Sequence, residues 1–164
     1  MTTLRQIYDT LTATRLRLIL LAAAGSAGLL ASAYVFQALG FAPCQLCWWQ
    51  RYPHMAAVAI GLVALTWRPT APLAWAGALA ALATALIGIY HTGVEQKWWA
   101  GPDTCTSGDL GGQNAQDLLN QIMAAPLVRC DEVVLSLMGV SIASWNAVAS
   151  FMLMAIWIAA ARRN

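Results

Sequence analysis

Charge is scarce in this chain. Asp, Glu, Lys and Arg make up only 10% of its 164 residues, against roughly 25% in a soluble domain. With 60% of residues hydrophobic, most of the surface need not face water. Motif chemistry is also sparse. There is no G-x-x-x-x-G-K-[ST], no H-E-x-x-H and no G-x-S-x-G, which removes P-loop, zincin and nucleophile-elbow readings. No flavin, haem or nucleotide motif stands out, and the acidic residues are scattered without a paired-carboxylate pattern. The net charge of +2 gives no reason to expect a nucleic-acid partner.

What is present is apolar sequence in blocks. Leu18 to Leu39 contains no charge in 22 residues and spans about 33 Å as a helix, enough for a hydrocarbon core of ~30 Å. Further blocks run over about 48–67, 73–90 and 145–161. Arg51 and His54 are confined to the first two turns of the second block. The expected fold class is all-α, an integral membrane four-helix bundle forming a single domain over 1–164, with a long outer loop at 91–144. Arg15 and Arg17 before the first block also resemble a signal-peptide n-region. The block exceeds the usual h-region of ~7–15 residues, however, and is read as a span.

Six of the nine basic residues (Arg5, Arg15, Arg17, Arg68, Arg162, Arg163) fall on the side of both termini and the Arg68 turn. The positive-inside rule places that side in the cytoplasm. Cys44, Cys47, Cys105 and Cys130 then all lie outside it, none in the middle of a span, in an oxidising compartment. The expected location is the bacterial inner membrane, with the cysteines periplasmic.

Several local features carry structural expectations. Residues 1–14 have the spacing of a short amphipathic helix at the inner surface. Gly25, Ser26, Ala27, Gly28, Ala31 and Ser32 suggest a close-packing face on the first span. Arg68-Pro69-Thr70-Ala71-Pro72 reads as a tight turn that makes spans two and three antiparallel neighbours. That turn brings the top of span two towards His91, which is expected to cap the outer end of span three. Trp48, Trp49, Trp98, Trp99 and Trp145 read as an interfacial belt. Residues 113–125 read as a surface helix between Cys105 and Cys130.

The chemistry centres on Pro43-Cys44-Gln45-Leu46-Cys47-Trp48-Trp49-Gln50-Arg51. A Cys44–Cys47 bridge closes a very small ring and gains little loop-closure entropy, so it has little structural value; strained or exposed disulfides are the exchangeable kind. A Cys105–Cys130 bridge would close 26 residues and could be structural by itself. Four cysteines allow three connectivities, and spacing leaves the pairing open. A four-thiolate zinc site is disfavoured because Cys105 and Cys130 do not form a second close knuckle. Arg51 lies four residues after Cys47, on the same helical face and one turn deeper. There it can stabilise a thiolate or an acceptor gaining negative charge, although Pro53 implies that the helix starts or kinks nearby. His54 and His91 are lesser candidates. A thiol pair that discharges electrons repeatedly needs an acceptor, and an apolar bundle with no cofactor motif points to a lipid-soluble quinone.

C-Q-L-C-W-W-Q-R in the first outer loop, Y-H-T-G-V-E before the second, Cys105 and Cys130 within it, and G-V-S-I-A-S-W-N entering the last span resemble the DsbB family. The resemblance implies a thiol:quinone oxidoreductase that reoxidises a periplasmic DsbA-like thioredoxin-fold protein and reduces ubiquinone or menaquinone. By the same resemblance, Cys105–Cys130 is the disulfide facing the partner. Cys130 pairs transiently with Cys44, Cys47 donates to the quinone, and Arg51 and His91 bind it. No metal ligands are implied. The vitamin K epoxide reductases share the chemistry but carry their C-x-x-C late in the chain. The non-enzymatic alternative is a membrane scaffold with static disulfides.

Overall fold

The computed structural model describes residues 14–102, 116, 119, 123 and 128–163. Cys105, all but Thr14 of the amphipathic segment expected at 1–14, and most of the surface helix expected at 113–125 lie outside the described residues. Four long helices form the body: α1 (Arg15–Ala38), α2 (Gln45–Thr66), α3 (Ala71–Glu95) and α4 (Ile142–Arg162). A two-stranded antiparallel hairpin, β1 (Ser136–Leu137) and β2 (Val140–Ser141), leads directly into α4. The helices alternate up and down. Arg15, Arg68, Arg162 and Arg163 gather at one end, and Cys44, Cys47 and Cys130 at the other. Among the described residues three helices, α1, α3 and α4, are long and apolar enough to cross a membrane. The protein is therefore a multi-pass membrane protein. α2 lies between α1 and α3 and carries Gln50, Arg51 and His54 buried in its first half.

Local sequence explains where the helices start and stop. The Thr14 hydroxyl caps α1 by accepting from the Arg17 N–H. α1 ends in a Schellman turn: Gly40 takes φ +100°, the Gly40 N–H donates to Gln37 and the Phe41 N–H donates to Phe36. The rings of Phe36 and Phe41 then meet edge to face at 6.4 Å, closing the turn with an apolar contact. Pro72 occupies the first turn of α3, where no helical N–H is needed. Met138 and Gly139, at φ 55° and 79°, make the two-residue turn of the hairpin. The hairpin was not expected from sequence, since its strands are only two residues long.

Helix α2 begins at Gln45 and runs through Pro53, so the proline neither starts nor ends it. In the turn preceding Pro53, the Thr84 hydroxyl of α3 donates to the Gln50 carbonyl at 2.9 Å. Neighbouring helices commonly satisfy backbone carbonyls near a membrane proline in this way.

The interhelical core is built largely from small residues. Ala22, Ala57, Ala64, Ala74, Ala78, Ala81 and Ala160 are buried around the fully enclosed Trp157. In lipid there is no hydrophobic drive between helices, and association depends on backbones that approach closely. A Cβ on Gly61 would meet the Ala23 side chain at 2.4 Å, and one on Gly77 would meet the Trp157 ring at 2.4 Å. The small-residue face expected on α1 is narrower than its sequence suggested. Gly25 packs on Leu153 and Ser26 is buried, but Ala27, Gly28, Ala31 and Ser32 are exposed. The packing stripe instead runs Leu18, Ile19, Ala22, Ala23, Ser26, the i, i+4 face of the helix. Exposed Leu62, Leu79, Leu86, Ile89 and Met152 form part of the outward apolar surface that lipid covers.

At the arginine end, Arg15 ties three segments together. Its Nε donates to the Ala160 carbonyl at 3.2 Å, Nη1 to the Pro69 carbonyl at 3.2 Å, and Nη2 to the Arg163 carbonyl. Because Gly77 sits against the buried Trp157, Gly77→Ala is expected to destabilise the bundle by about 1–3 kcal/mol through overpacking. Gly28→Ala, which meets nothing within 4 Å, is expected to be neutral or slightly stabilising. Thermal unfolding in detergent separates the two: equal melting temperatures would contradict this packing.

Candidate redox site

The turn closed by Gly40 delivers Cys44 to the N-cap of α2. There its sulfur accepts from the Cys47 N–H at 3.3 Å. Both cysteines are free thiols, with sulfurs 3.0 Å apart. A disulfide needs ~2.05 Å, so oxidation of the pair, which removes two electrons and two protons, draws the sulfurs together by about an ångström. Cys44 is buried and Cys47 half-buried, at the start of α2.

Cys130 is disulfide-bonded and completely buried. It belongs to the same apolar cluster as Cys44, Leu46 and Val94, with Cys47, Tyr90 and Val128 packed against it. The fold thus brings three cysteines together across about 85 residues of sequence, a spacing at which only the chain's path decides proximity. Asp131 pins the Cys130 segment. It accepts from Arg129 at 3.0 and 2.7 Å and from Lys97, which follows the end of α3. The hydrogen bond from Arg129 holds the Asp131 carboxyl well below the ordinary carboxylate range. The clamp is therefore intact at neutral pH and is lost only in strong acid.

His91 lies inside α3, not at its end. The expected cap position is corrected because α3 continues to Glu95 and turns off at Gln96–Lys97, with Lys97 at φ 61°. Trp99 folds back over this end. Its indole N–H donates to the Tyr90 carbonyl at 2.9 Å, its ring stacks on Tyr90, and it packs on Gly93. His91 is only 3% exposed. Its Nε2 is 3.6 Å from the Cys44 sulfur and 3.8 Å from Glu95, its side chain hydrogen-bonds the Cys130 backbone, and its Nδ1 meets the Gln50 amide nitrogen at 2.8 Å. Gln50 Oε1 in turn accepts from the Asn146 amide at 2.7 Å, and Asn146 Oδ1 lies 3.0 Å from His54 Nε2. A buried polar chain therefore leads from Cys44 through His91, Gln50 and Asn146 to His54, crossing α2, α3 and α4.

Arg51 is buried to 6% exposure and turned towards α1. Its guanidinium donates to Gln37 Oε1 at 2.7 Å and to the Ala33 carbonyl at 3.2 Å, between the rings of Tyr34 (4.8 Å) and Trp48 (4.7 Å). Trp48 and Trp99 are thus more than the belt residues they were expected to be: each packs on a residue or helix end of the site. No carboxylate among the described residues pairs with Arg51. A buried cation held only by neutral oxygens and ring faces favours any negative charge that develops beside it.

The two thiols are unequal. A hydrogen bond from the Cys44 thiol, with help from the Cys44 backbone and the Arg51 charge, lowers Cys47 from 9.0 to about 7. Cys44, as the donor and the more buried of the two, is raised and keeps its proton. Of the residues anticipated from sequence, Cys44, Cys47, Cys130, Arg51 and His91 gather at one end of the bundle. Sequence reasoning did not assign Tyr34, Gln37, Gln50, Glu95 or Asn146. The signal that finds Gln37, Gln50 and Asn146 is an amide inside or at the edge of an apolar span, where unmatched polar groups are costly.

Reduced protein should therefore alkylate first at Cys47, with a midpoint near pH 7 and a tenfold slower rate per unit below it. Arg51→Ala should raise the midpoint, and Cys44→Ala, which removes the donor, should raise it further. Iodoacetamide labelling read by peptide mass spectrometry checks this; preferential labelling of Cys44 would contradict it.

The family model described as disulfide bond formation protein DsbB matches residues 15–160, nearly the whole chain. No curated protein and no solved structure matches it. A membrane bundle that carries a free C-x-x-C pair against a disulfide-bonded third cysteine agrees with that description, and the chain belongs to the DsbB family of disulfide-forming oxidoreductases.

Proposed function

We propose that the protein reoxidises a periplasmic DsbA-like thioredoxin-fold dithiol and passes the electrons to a membrane quinone. The single observation that carries this reading is the packing of disulfide-bonded Cys130 in one cluster with the Cys44–Cys47 pair. Two redox couples in contact can exchange electrons as sulfur–sulfur bonds, without a carrier between them. The arginine-poor end that holds them is the periplasmic face, the termini are cytoplasmic, and residues 1–164 act as one domain.

The chain's own residues balance the reaction as follows. The partner's thiolate attacks Cys105, a sulfur–sulfur bond forms, and Cys130 leaves as a thiolate. The partner's second thiol resolves the mixed disulfide, so the partner is oxidised and the Cys105–Cys130 pair is reduced. Cys130 attacks Cys44 of the oxidised Cys44–Cys47 pair and displaces Cys47 as a thiolate. Cys105 then re-forms its bond with Cys130, and Cys44 is left as a thiol beside it. The net transfer is two electrons and two protons to the Cys44–Cys47 pair.

Ubiquinone or menaquinone, when bound, supplies a two-electron, two-proton acceptor. The residues fit such a group: Arg51 is a buried cation with no carboxylate partner among the described residues, flanked by Tyr34 and Trp48 next to an apolar surface. Arg51 and His91 are proposed to hold it. Arg51 favours charge developing on a carbonyl oxygen, and the Cys47 thiolate supplies electrons. His91, in contact with Cys44, is placed to relay the proton that Cys44 retains.

Purified protein mixed with a reduced thioredoxin-fold partner and a short-chain quinone should turn over, followed by loss of quinone absorbance. Cys44→Ser and Cys47→Ser should abolish turnover, and Arg51→Ala should slow it about a hundredfold. A scaffold with static disulfides would show no turnover in the unmodified protein.

A further inference from the structure

The sulfurs of Cys44 and Cys47 and the imidazole of His91 place three soft or borderline ligand atoms within 4.8 Å of one another. Tetrahedral zinc, with Zn–S of ~2.3 Å and Zn–N of ~2.0–2.1 Å, needs sulfur–nitrogen and sulfur–sulfur separations of roughly 3.5–3.8 Å. Cys44 Sγ and His91 Nε2 are already 3.6 Å apart. The two sulfurs stand at 3.0 Å and must open by less than about an ångström. A fourth group is at hand. Glu95 Oε1 is 3.8 Å from His91 Nε2, its side chain is 6% exposed and hydrogen-bonds Ser141, and its Oε2 is buried without a hydrogen-bond partner among the described residues. An unpartnered buried carboxylate oxygen beside two thiols and an imidazole is a cost that a cation removes.

The surroundings also suit a ligating histidine. Metal-bound histidines donate their remaining ring N–H to a neighbouring acceptor, which fixes tautomer and orientation. His91 Nδ1 faces the Gln50 amide at 2.8 Å. Exchanging the amide oxygen and nitrogen of Gln50 turns that contact into Nδ1–H donating to oxygen, with no change in heavy-atom positions. The Asn146 amide on the far side of Gln50 carries both a donor and an acceptor and can follow.

We propose that Cys44, Cys47 and His91, in the dithiol state, form a binding site for a soft divalent cation of the zinc group, with Glu95 as the neighbouring charge-balancing carboxylate. Binding takes both cysteines as thiolates, breaking whichever S–H bonds remain, and forms two metal–sulfur bonds and one metal–nitrogen bond to His91. The protons go to solvent, and no electrons move. A Cys44–Cys47 disulfide offers no thiolate, so the site exists only when the pair is reduced. Occupancy and disulfide formation are therefore mutually exclusive. Binding rests on this geometry alone, whereas its consequence, arrest of the protein in the dithiol form, rests on the redox reading above.

Cadmium is the probe, because thiolate-to-cadmium charge transfer absorbs in the ultraviolet. Reduced wild-type protein in detergent, freed of reductant, should take up one Cd²⁺ per chain with a two-thiolate band, and the protein with the pair oxidised should take up none. The same titration in the Cys105→Ser, Cys130→Ser background leaves only the C-x-x-C thiols and should give the same band. That background cannot exchange with a partner, so the result stands apart from the proposed turnover. In it, His91→Ala should weaken binding about 10- to 100-fold, and His91→Cys should restore it with a stronger band. Equal uptake by oxidised protein, loss of the band in the Cys105→Ser, Cys130→Ser background, or indifference to both His91 variants would overturn the proposal.

Discussion

Gln50 holds the cysteine end of the bundle in register. Its side-chain amide meets His91 on α3 and Asn146 on α4, and its carbonyl accepts from Thr84 on α3. Interhelical hydrogen bonds in membranes contribute modestly, on average ~0.6 kcal/mol each. Leaving such groups unmet in a low-dielectric interior costs more than the bonds return, so the network acts on specificity more than on stability. The observed axial register of α2 against α3 and α4 satisfies all of these Gln50 contacts at once. That register sets the Cys44 sulfur against the His91 ring.

The bundle divides along its length into a dry half and a polar half. Towards the arginine end, alanines and glycines let the helices approach around Trp157, and Arg15 clamps the chain segments that emerge there. Towards the cysteine end, His54, Asn146, Gln50, His91 and Arg51 replace that close packing with hydrogen bonds. Small residues bring backbones together without specifying chemistry; amides and imidazoles then fix which side chains face one another.

Asymmetry between two chemically identical thiols follows from where the helix begins. Cys44 is a cap, buried, donating to its neighbour. Cys47 is in the first turn, closer to water, and accepts that hydrogen bond within reach of the Arg51 charge. Glu95 opposes Arg51 from the α3 side and raises the Cys47 thiol, while Arg51 lowers it. The pair therefore sits between a buried cation and a buried carboxylate. The Asp131 clamp does separate work, holding Cys130 against the pair through contacts with Arg129 and Lys97.

Much of the fold was legible in the chain itself. Apolar blocks of membrane length, separated by Gly40, the Pro69–Pro72 turn and a polar loop, determine four helices and their alternation, because hydropathy and turn chemistry act locally. The C-x-x-C spacing and the arginine one turn beyond it are likewise local, and they marked Cys44, Cys47 and Arg51, which the structure brings together. What the sequence could not decide is which distant groups meet. The enclosure of Cys130 with Cys44, the Gln50–His91–Asn146 chain, the seat of Arg51 between Tyr34 and Trp48, and the Glu95 carboxylate beside His91 all depend on helix rotation and register. Those are chosen by simultaneous packing and hydrogen bonding across several helices, and no pattern within one segment encodes them.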